Sequence, residues 1–251
     1  MDSDLGELER VIERTLEHHD HISILEAGCG SMSRIRFRQT ARLIGIDISQ
    51  KQLDRNTELL EKILGDLETY PLSPNTYDMI ICWDVLEHLS QPGKALKNFS
   101  RAVAEGGIIV LASPNVMTLR GFVTKFTPHW FHVWFYRYIY GMKDAGKNDS
   151  WPFKSYHRFA IAPGSLLSFA KREGLSVEFW KTYDFDEVQK FNPLLAAAWG
   201  FANAAAGFLS FGRIQNDSHK AFMMVLRKPG SPERPAPQGA HAGRELSDRV
   251  K

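Results

Sequence analysis

The chain has 251 residues and a formal charge of +2, and 43% of its residues are hydrophobic. A chain of this size and composition favours one globular domain with modest additions and excludes a fibrous protein. The charge is too small to favour a nucleic-acid partner, and no run of Lys and Arg forms a stripe. Cys29 and Cys82 fit neither a disulfide framework nor a zinc motif, so reduced thiols and a cytoplasmic location are expected.

The first half of the chain predicts an alternation of helices and strands. Residues 1–20 carry apolar side chains at helical spacing and lack the apolar core of a secretory signal, so an N-terminal helix is expected there. The elements that follow are strands at 22–26, 43–48, 77–83 and 108–112, and helices over 50–62 and 92–105. This alternation predicts an α/β domain with a doubly wound, mostly parallel sheet.

The alternation is interrupted after Ser113-Pro114-Asn115. The high aromatic content beyond this point predicts an inserted helical cap over about 117–155. The domain, expected over 21–228, then resumes with these elements: a helix near 164–172 and an antiparallel pair of strands at 175–182 and 221–227.

Two further segments of the second half have distinctive compositions. An uncharged stretch over about 191–212 contains Asn192, Pro193 and Asn203, and its alanine-rich composition favours a buried or membrane-surface helix over a membrane span. Residues 229–251 are rich in Pro, Gly and Ser and are expected to be disordered.

The strongest local signal is the run Glu26-Ala27-Gly28-Cys29-Gly30, in which a strand ends in an acid and turns through two glycines. Glycine adopts positive φ and lets the backbone approach a ligand, so this turn is typical of a site for an adenosine-containing cofactor. The second strand also ends in an acid, Asp47, and a carboxylate with two acceptor oxygens suits the two hydroxyls of a ribose.

Together with Gly65-Asp66-Leu67, Asp78 and the run Trp83–Leu89, these motifs resemble those of class I S-adenosylmethionine-dependent methyltransferases over residues 22–115. The resemblance implies a seven-stranded Rossmann-like sheet, S-adenosylmethionine as the cofactor, and methyl transfer as the activity. The cofactor-binding residues that it implies are Glu26, Gly28, Gly30, Asp47, Ile48, Asp66, Leu67, Trp83 and Asp84. Met32 stands where family members usually have a third glycine, and this absence also argues against a dinucleotide-binding fingerprint.

Some of these residues have a plainer interpretation. Asp47 and Ser49 together are also typical of the start of a helix, and Asp66 is also typical of an ordinary turn. The glycine turn upstream favours ribose binding for Asp47, whereas both interpretations stay open for Asp66.

Methyl transfer to a hydroxyl requires a base, and His88 and His157 are the candidates because imidazole titrates near neutrality. A sharper alternative is that Asp84, Glu87, His88 and His157 hold Mg²⁺ or Mn²⁺, since the spacing is similar to that of metal-assisted O-methyltransferases acting on catechols, diols or RNA 3′ ends. Asp84 is shorter than the Glu usual at the first position of that motif, so a metal-free site is favoured.

The acceptor is indicated only by the character of the second half. The aromatic cap and the apolar stretch over 191–212 favour a small-molecule or lipid-like acceptor, such as a polyprenyl quinone, and peripheral contact with a membrane. A non-catalytic protein with the same fold, which uses its apolar half as an interaction surface, is the alternative from another class. The sequence predicts no oligomeric state.

Overall fold

The computed structural model describes residues 2–17, 21–33, 41–138, 141–147, 152–183, 193–212, 214 and 220–230. Its helices are α1 (Asp2–Leu16), α2 (Gln50–Arg55), α3 (Pro92–Ala102), α4 (Leu119–Phe126), α5 (His129–Tyr138), α6 (Pro163–Arg172) and α7 (Pro193–Leu209). Its strands are β1 (Ile22–Ala27), β2 (Ala41–Asp47), β3 (Glu61–Leu64), β4 (Tyr77–Trp83), β5 (Val103–Pro114), β6 (Ser176–Tyr183) and β7 (Ala221–Arg227). Two 3₁₀ turns, Leu86–His88 and Phe159–Ile161, join them.

The seven strands form one sheet in the order β3-β2-β1-β4-β5-β7-β6. The first five strands in this order are parallel, and β7 runs antiparallel to both β5 and β6. The predicted doubly wound, mostly parallel sheet of seven strands and its antiparallel final pair are therefore confirmed. The chain order reverses between β1 and β4, and in open sheets of this kind ligands bind beyond the carboxyl ends of the strands at that point.

The core has two layers, one on each face of the sheet. On one face, α3 and α6 pack through fully buried side chains such as Phe99 and Leu166. On the other face, α1 packs through Leu8, Ile12 and Leu16, and burial of each such side chain contributes about 1.5–3 kcal/mol. The helix expected over 1–20 spans Asp2–Leu16, and residues 18–20 lie outside the described residues.

The helix predicted over 50–62 is shorter than expected, and a strand was missed. α2 ends at Arg55 because Asn56 is extended, and its backbone N–H donates to the carbonyls of Gln52 and Leu53. Glu61–Leu64 then forms β3, paired in parallel with β2. This strand lies at the edge of the sheet and exposes three of its four residues, so it lacks the apolar pattern by which buried strands are recognised.

The helix predicted over 92–105 is also too long. α3 ends at Ala102, and Val103 is the first residue of β5, where it pairs with Tyr77 of β4. Residues 103–107 therefore belong to the sheet, because pairing with a strand distant in sequence prevails over their local helical pattern.

The segment interpreted as a cap contains α4, α5 and a loop over 141–147. Thr118 begins α4 by accepting a hydrogen bond from the backbone N–H of Gly121 at 3.1 Å. α7 lies within the apolar stretch predicted over 191–212, and among the described residues no helix combines the length and apolarity needed to cross a bilayer. Of the tail expected over 229–251, only Pro229 and Gly230 belong to the described residues.

Candidate active site

The turn after β1 uses its two glycines differently. Gly28 has φ +72°, its N–H donates to the carbonyl of Ile46 at 2.8 Å, and a Cβ at this position would lie 2.5 Å from a methyl group of Val85. Gly30 has φ +56° but open space where a Cβ would stand. Gly28 therefore satisfies a conformational and a steric requirement, whereas Gly30 satisfies only the conformational one.

Two acids hold this turn in place. Asp47 Oδ2 accepts a hydrogen bond from the N–H of Gly30 at 2.9 Å, and its Oδ1 accepts one from the N–H of Ser49 at 2.8 Å. Glu26 is buried, and its Oε2 accepts a hydrogen bond from the Ser33 hydroxyl at 2.7 Å. Asp47 thus supports the start of α2, as its plainer interpretation has it, and it keeps acceptor capacity toward the cavity that it lines, because each carboxylate oxygen accepts about two hydrogen bonds.

Cys29 lies between the two glycines as a buried thiol. Burial raises its pKa to about 12, and the negative charges of Asp47 and Glu26 add to this effect. The thiol therefore stays protonated at neutral pH and does not act as a nucleophile.

A cavity of about 740 Å³ opens over the ends of β1, β2 and β4. All of the predicted cofactor-binding residues line it: Glu26, Gly28, Gly30, Asp47, Ile48, Asp66, Leu67, Trp83 and Asp84. The close approach of backbone at Gly28, the two carboxylates and the apolar side chains of Ile48 and Leu67 fit an adenosine-containing cofactor. Asp66 also serves a turn, since its Oδ1 accepts a hydrogen bond from the N–H of Glu68 at 2.8 Å. Direct contact of each residue with the cofactor stays a prediction.

His88 lines the same cavity. Its Nδ1 lies 2.9 Å from the carbonyl oxygen of Lys154, and because a carbonyl only accepts, Nδ1 carries the proton and Nε2 is the basic nitrogen. Burial lowers the pKa of His88, although the bond to Lys154 opposes that shift, so the imidazole is neutral at pH 7. Lys154 therefore sets the tautomer of His88, whose basic Nε2 lies 3.9 Å from Oε1 of Glu87.

Glu87, the neighbour of His88, is fully buried. Burial raises its pKa to about 8, and the charge of Asp84 adds to the effect. The Ser113 hydroxyl donates to Glu87 Oε2 at 3.1 Å, and the Glu87 carbonyl accepts hydrogen bonds from the N–H groups of Tyr156 and His157 at 2.7 and 3.2 Å. Residues 153–157, here called the covering segment, are thereby held against the Leu86–His88 turn.

His157 is placed differently from His88. It is 5% exposed, has φ +44° and is not among the residues that line the cavity. Burial lowers its pKa to about 4, with further contributions from His88, His132 and Lys125. Its carbonyl accepts a hydrogen bond from Lys125 Nζ at 3.0 Å. The structure therefore brings one predicted base into the cavity wall and buries the other, whose catalytic role stays a prediction.

The four residues of the metal alternative are all described, but they do not form a ligand set. Within the described ranges, no three side chains of His, Cys, Asp or Glu gather in a way that could hold a metal ion. Nδ1 of His88 faces Lys154, and Oε2 of Glu87 accepts from Ser113. As placed, these residues do not fit Mg²⁺ or Mn²⁺.

Sequence reasoning missed several residues that shape the site. Val85 restricts the space beside Gly28, Ser33 supports Glu26, and Phe153 and Tyr156 line the cavity. Tyr156 immediately precedes His157, a candidate base in the sequence, so the sequence pointed to this part of the chain. Val85 and Ser33 carried none, because only the folded chain brings them to their partners.

A sheet of this order, with a glycine turn after β1 and an acid after β2, defines a Rossmann-like domain that binds an adenosine-containing cofactor. Residues 25–111 match the family model described as a methyltransferase domain. The chain is a class I S-adenosylmethionine-dependent methyltransferase, as the motifs predict.

Curated relatives share this domain. The ubiquinone biosynthesis O-methyltransferase of Leptothrix cholodnii is 23% identical over 79% of this chain and 80% of its own length. The mitochondrial ubiquinone biosynthesis O-methyltransferase of Saccharomyces cerevisiae is 29% identical over 48% of this chain and 42% of its own length.

One solved structure shares the fold but is named for a different activity. The [4+2]-cyclase SpnF aligns with a TM-score of 0.52 and 17% identity, over 90% of this chain and 81% of that chain. That protein is named as a cyclase, so this fold alone does not define the acceptor chemistry.

Proposed function

We propose that the protein transfers a methyl group to a hydroxyl oxygen of a small, largely apolar aromatic acceptor, such as a phenol or catechol. The observation that carries this proposal is His88, a residue of the cavity lining whose Nδ1 is bound to the Lys154 carbonyl, which leaves Nε2 as the basic nitrogen. Both curated relatives are named as O-methyltransferases of ubiquinone biosynthesis, which supports methyl transfer to an oxygen.

His88 Nε2 takes the proton of the acceptor hydroxyl as the oxygen becomes nucleophilic. The Lys154 carbonyl stabilises the resulting imidazolium, because it accepts the hydrogen bond from Nδ1–H. When bound, S-adenosylmethionine would supply an activated methyl group, since an O–CH3 bond can form in line as the CH3–S bond breaks and S-adenosylhomocysteine leaves as a neutral thioether. The proton then passes from His88 to solvent.

The walls around His88 suit a planar acceptor. Trp83, Phe153 and Tyr156 line the cavity, and aromatic walls hold a flat ring by stacking and by burial of its faces. Phe153 also packs edge-on against His88, with ring centroids 5.9 Å apart, so the base and one wall keep a fixed relation. Positioning of this kind supplies much of the rate in a displacement on an already activated methyl group.

Radiolabelled S-adenosylmethionine and matched pairs of catechols and aromatic amines test the proposal. We expect O-methylated products only, with kcat reduced about 10²–10⁴-fold by His88→Ala, the usual contribution of a general base. His21→Ala, an exposed histidine outside the cavity, is the matched control and should keep full activity. Methylation of the amines alone, or an undiminished His88→Ala, contradicts the proposal.

Chelation separates this mechanism from the metal-assisted alternative. The proposed mechanism predicts that EDTA leaves the rate unchanged, because His88 acts without a metal ion. Loss of activity in EDTA that Mg²⁺ or Mn²⁺ restores would favour the metal-assisted route instead.

A further inference from the structure

One surface of the protein exposes large apolar side chains in a regular row. Along α4 and α5, the row consists of Val123, Phe126, Trp130, Trp134 and Tyr138, here called the aromatic face. Trp130, Trp134 and Tyr138 are 69%, 45% and 72% exposed, and their spacing of four residues places them on one side of α5. None of the ten residues of α5 is buried. Contiguous exposed apolar surface of this kind marks an interaction site.

The aromatic face is distinct from the cofactor cavity, because none of its members lines that cavity. Its side chains also contact one another. The rings of Trp134 and Tyr138 lie 6.0 Å apart, and Trp134 stacks on Phe131 at 5.8 Å. The face is therefore a preformed aromatic surface rather than a set of isolated side chains.

The segment that carries this face is basic. Residues 117–147 contain five Lys or Arg and one Asp, whereas the whole chain has a formal charge of only +2. The loop over 141–147 returns along α5, since Arg137 Nε donates to the Ala145 carbonyl and the Met142 N–H donates to the Tyr136 carbonyl, both at 3.0 Å. This return packs the loop on the side of α5 that carries Tyr136 and Arg137, where Lys143 and Lys147 are exposed and Lys147 Nζ also lies 3.3 Å from Asp144 Oδ1.

From this combination we infer that the aromatic face docks on the surface of an anionic phospholipid membrane. Trp and Tyr partition to the headgroup level of a bilayer, where their rings are buried and their polar atoms stay hydrated. Lys and Arg beside them are attracted to anionic headgroups, and each strengthens partitioning by about fivefold. The excess of basic residues therefore complements the charge of the membrane surface, while the aromatic row supplies the apolar contact.

Co-sedimentation with vesicles tests this inference. The full-length protein is mixed with vesicles of phosphatidylcholine alone or of phosphatidylcholine with phosphatidylglycerol, and we expect clear binding only to the anionic vesicles, weakened by salt. Trp130→Ala/Trp134→Ala should reduce partitioning at least about tenfold, because the buried ring area is lost. Lys143→Gln/Lys147→Gln should reduce it about tenfold or more and remove part of the salt dependence.

The matched control is Leu60→Ala/Leu64→Ala, which removes apolar side chains of 73% and 55% exposure at the β3 edge of the sheet. This control should bind vesicles as the wild type does. S-adenosylmethionine binding, measured by calorimetry, should be unchanged in all three variants, which shows that they are folded.

Three results would overturn the inference. The first is a folded wild type that binds neither kind of vesicle. The second is a Trp130→Ala/Trp134→Ala variant that binds as well as the wild type, which would leave another surface, such as the exposed Phe201 and Phe208 of α7, to account for any binding. The third is concentration-dependent self-association that the same substitutions abolish without vesicles, which would assign the aromatic face to a second copy of the chain.

Discussion

The two sides of the cavity are built in different ways. The cofactor side depends on backbone, since Gly28 and Gly30 adopt positive φ and the N–H groups of Gly30 and Ser49 orient Asp47. The acceptor side depends on contacts between His88 and the covering segment, which is more than sixty residues away in sequence. One side is therefore set by local conformation, whereas the other exists only when two distant segments meet.

The largest expected effect is on kcat, when His88 on the acceptor side is replaced. His88→Asn keeps a side-chain donor for the Lys154 carbonyl but removes the base, so kcat should fall about 10²–10⁴-fold with an unchanged Kd for S-adenosylmethionine. His88→Ala should lose the same activity and also loosen the covering segment, which amide hydrogen exchange of residues 153–157 measures. Equal exchange in the two variants would show that His88 does not hold the segment.

The same variants have a distinct pH profile. Wild-type activity should rise with pH through the lowered pKa of His88, below about 6.5, and be level at neutrality, because the neutral imidazole is the active form. In His88→Asn the rate should instead follow ionisation of the acceptor itself, near pH 10 for a phenol. A wild-type profile that keeps rising above pH 8 would contradict His88 as the base.

The next largest effect is on S-adenosylmethionine affinity, when a glycine of the cofactor side is replaced. Gly28→Ala places a Cβ 2.5 Å from a Val85 methyl group at positive φ, so S-adenosylmethionine affinity should fall about 10²-fold. Gly30→Ala has only the conformational cost of positive φ, about 1 kcal/mol, so its affinity for S-adenosylmethionine should fall much less. Adding Val85→Ala to Gly28→Ala should recover part of the affinity in calorimetry, and no recovery would place the effect elsewhere than in this contact.

A smaller effect concerns the buried titratable groups behind the acceptor side. His157 has a pKa of about 4 in the folded chain and about 6.5 when unfolded, so the unfolded state binds more protons between these values. The free energy of unfolding should therefore fall by about 2–3 kcal/mol from pH 6.5 to 4, and His157→Gln should remove this loss. Urea unfolding at several pH values measures it, and parallel pH profiles for the two proteins would refute it.

Glu87 provides the opposite case. Its folded pKa of about 8 lies above the ordinary value of 4.5, so the folded state binds more protons between them and stability falls as pH rises through that window. Glu87→Gln should flatten the fall toward pH 8 and leave the acid side unchanged. A variant that changes the acid side instead would show that the assignment of the two groups is wrong.

The smallest expected effect is on stability, and it concerns a hydrogen bond behind the cofactor side. Ser33→Ala removes the hydroxyl that donates to Glu26 and should lower the free energy of unfolding by about 1 kcal/mol, the net value of one hydrogen bond. Thermal unfolding measures the change. Ser176→Ala, which removes an exposed hydroxyl on β6, is the control and should have no measurable effect.

The difference between the locally determined cofactor side and the acceptor side explains which residues the sequence could predict. The cofactor side was predictable because glycine turns and strand-terminal acids are local signals, and every residue assigned to it lines the cavity. The metal alternative stays a prediction, and its four residues do not form a ligand set as placed, because Nδ1 of His88 faces Lys154 and the buried His157 does not line the cavity. β3 was missed because an exposed edge strand has no buried pattern, and β5 begins early because Val103 pairs with a distant strand.

The position of β7 in the sheet has a consequence for synthesis on the ribosome. β7 lies between β5 and β6, so β6 has no strand to pair with until residues 221–227 have been made. α1 in turn is joined to β6, where Lys181 Nζ contacts Asp4 and Glu7 at 2.9 and 2.7 Å. α1 therefore makes its final contacts with β6 only after β7, which is synthesised much later than α1, has paired with β6.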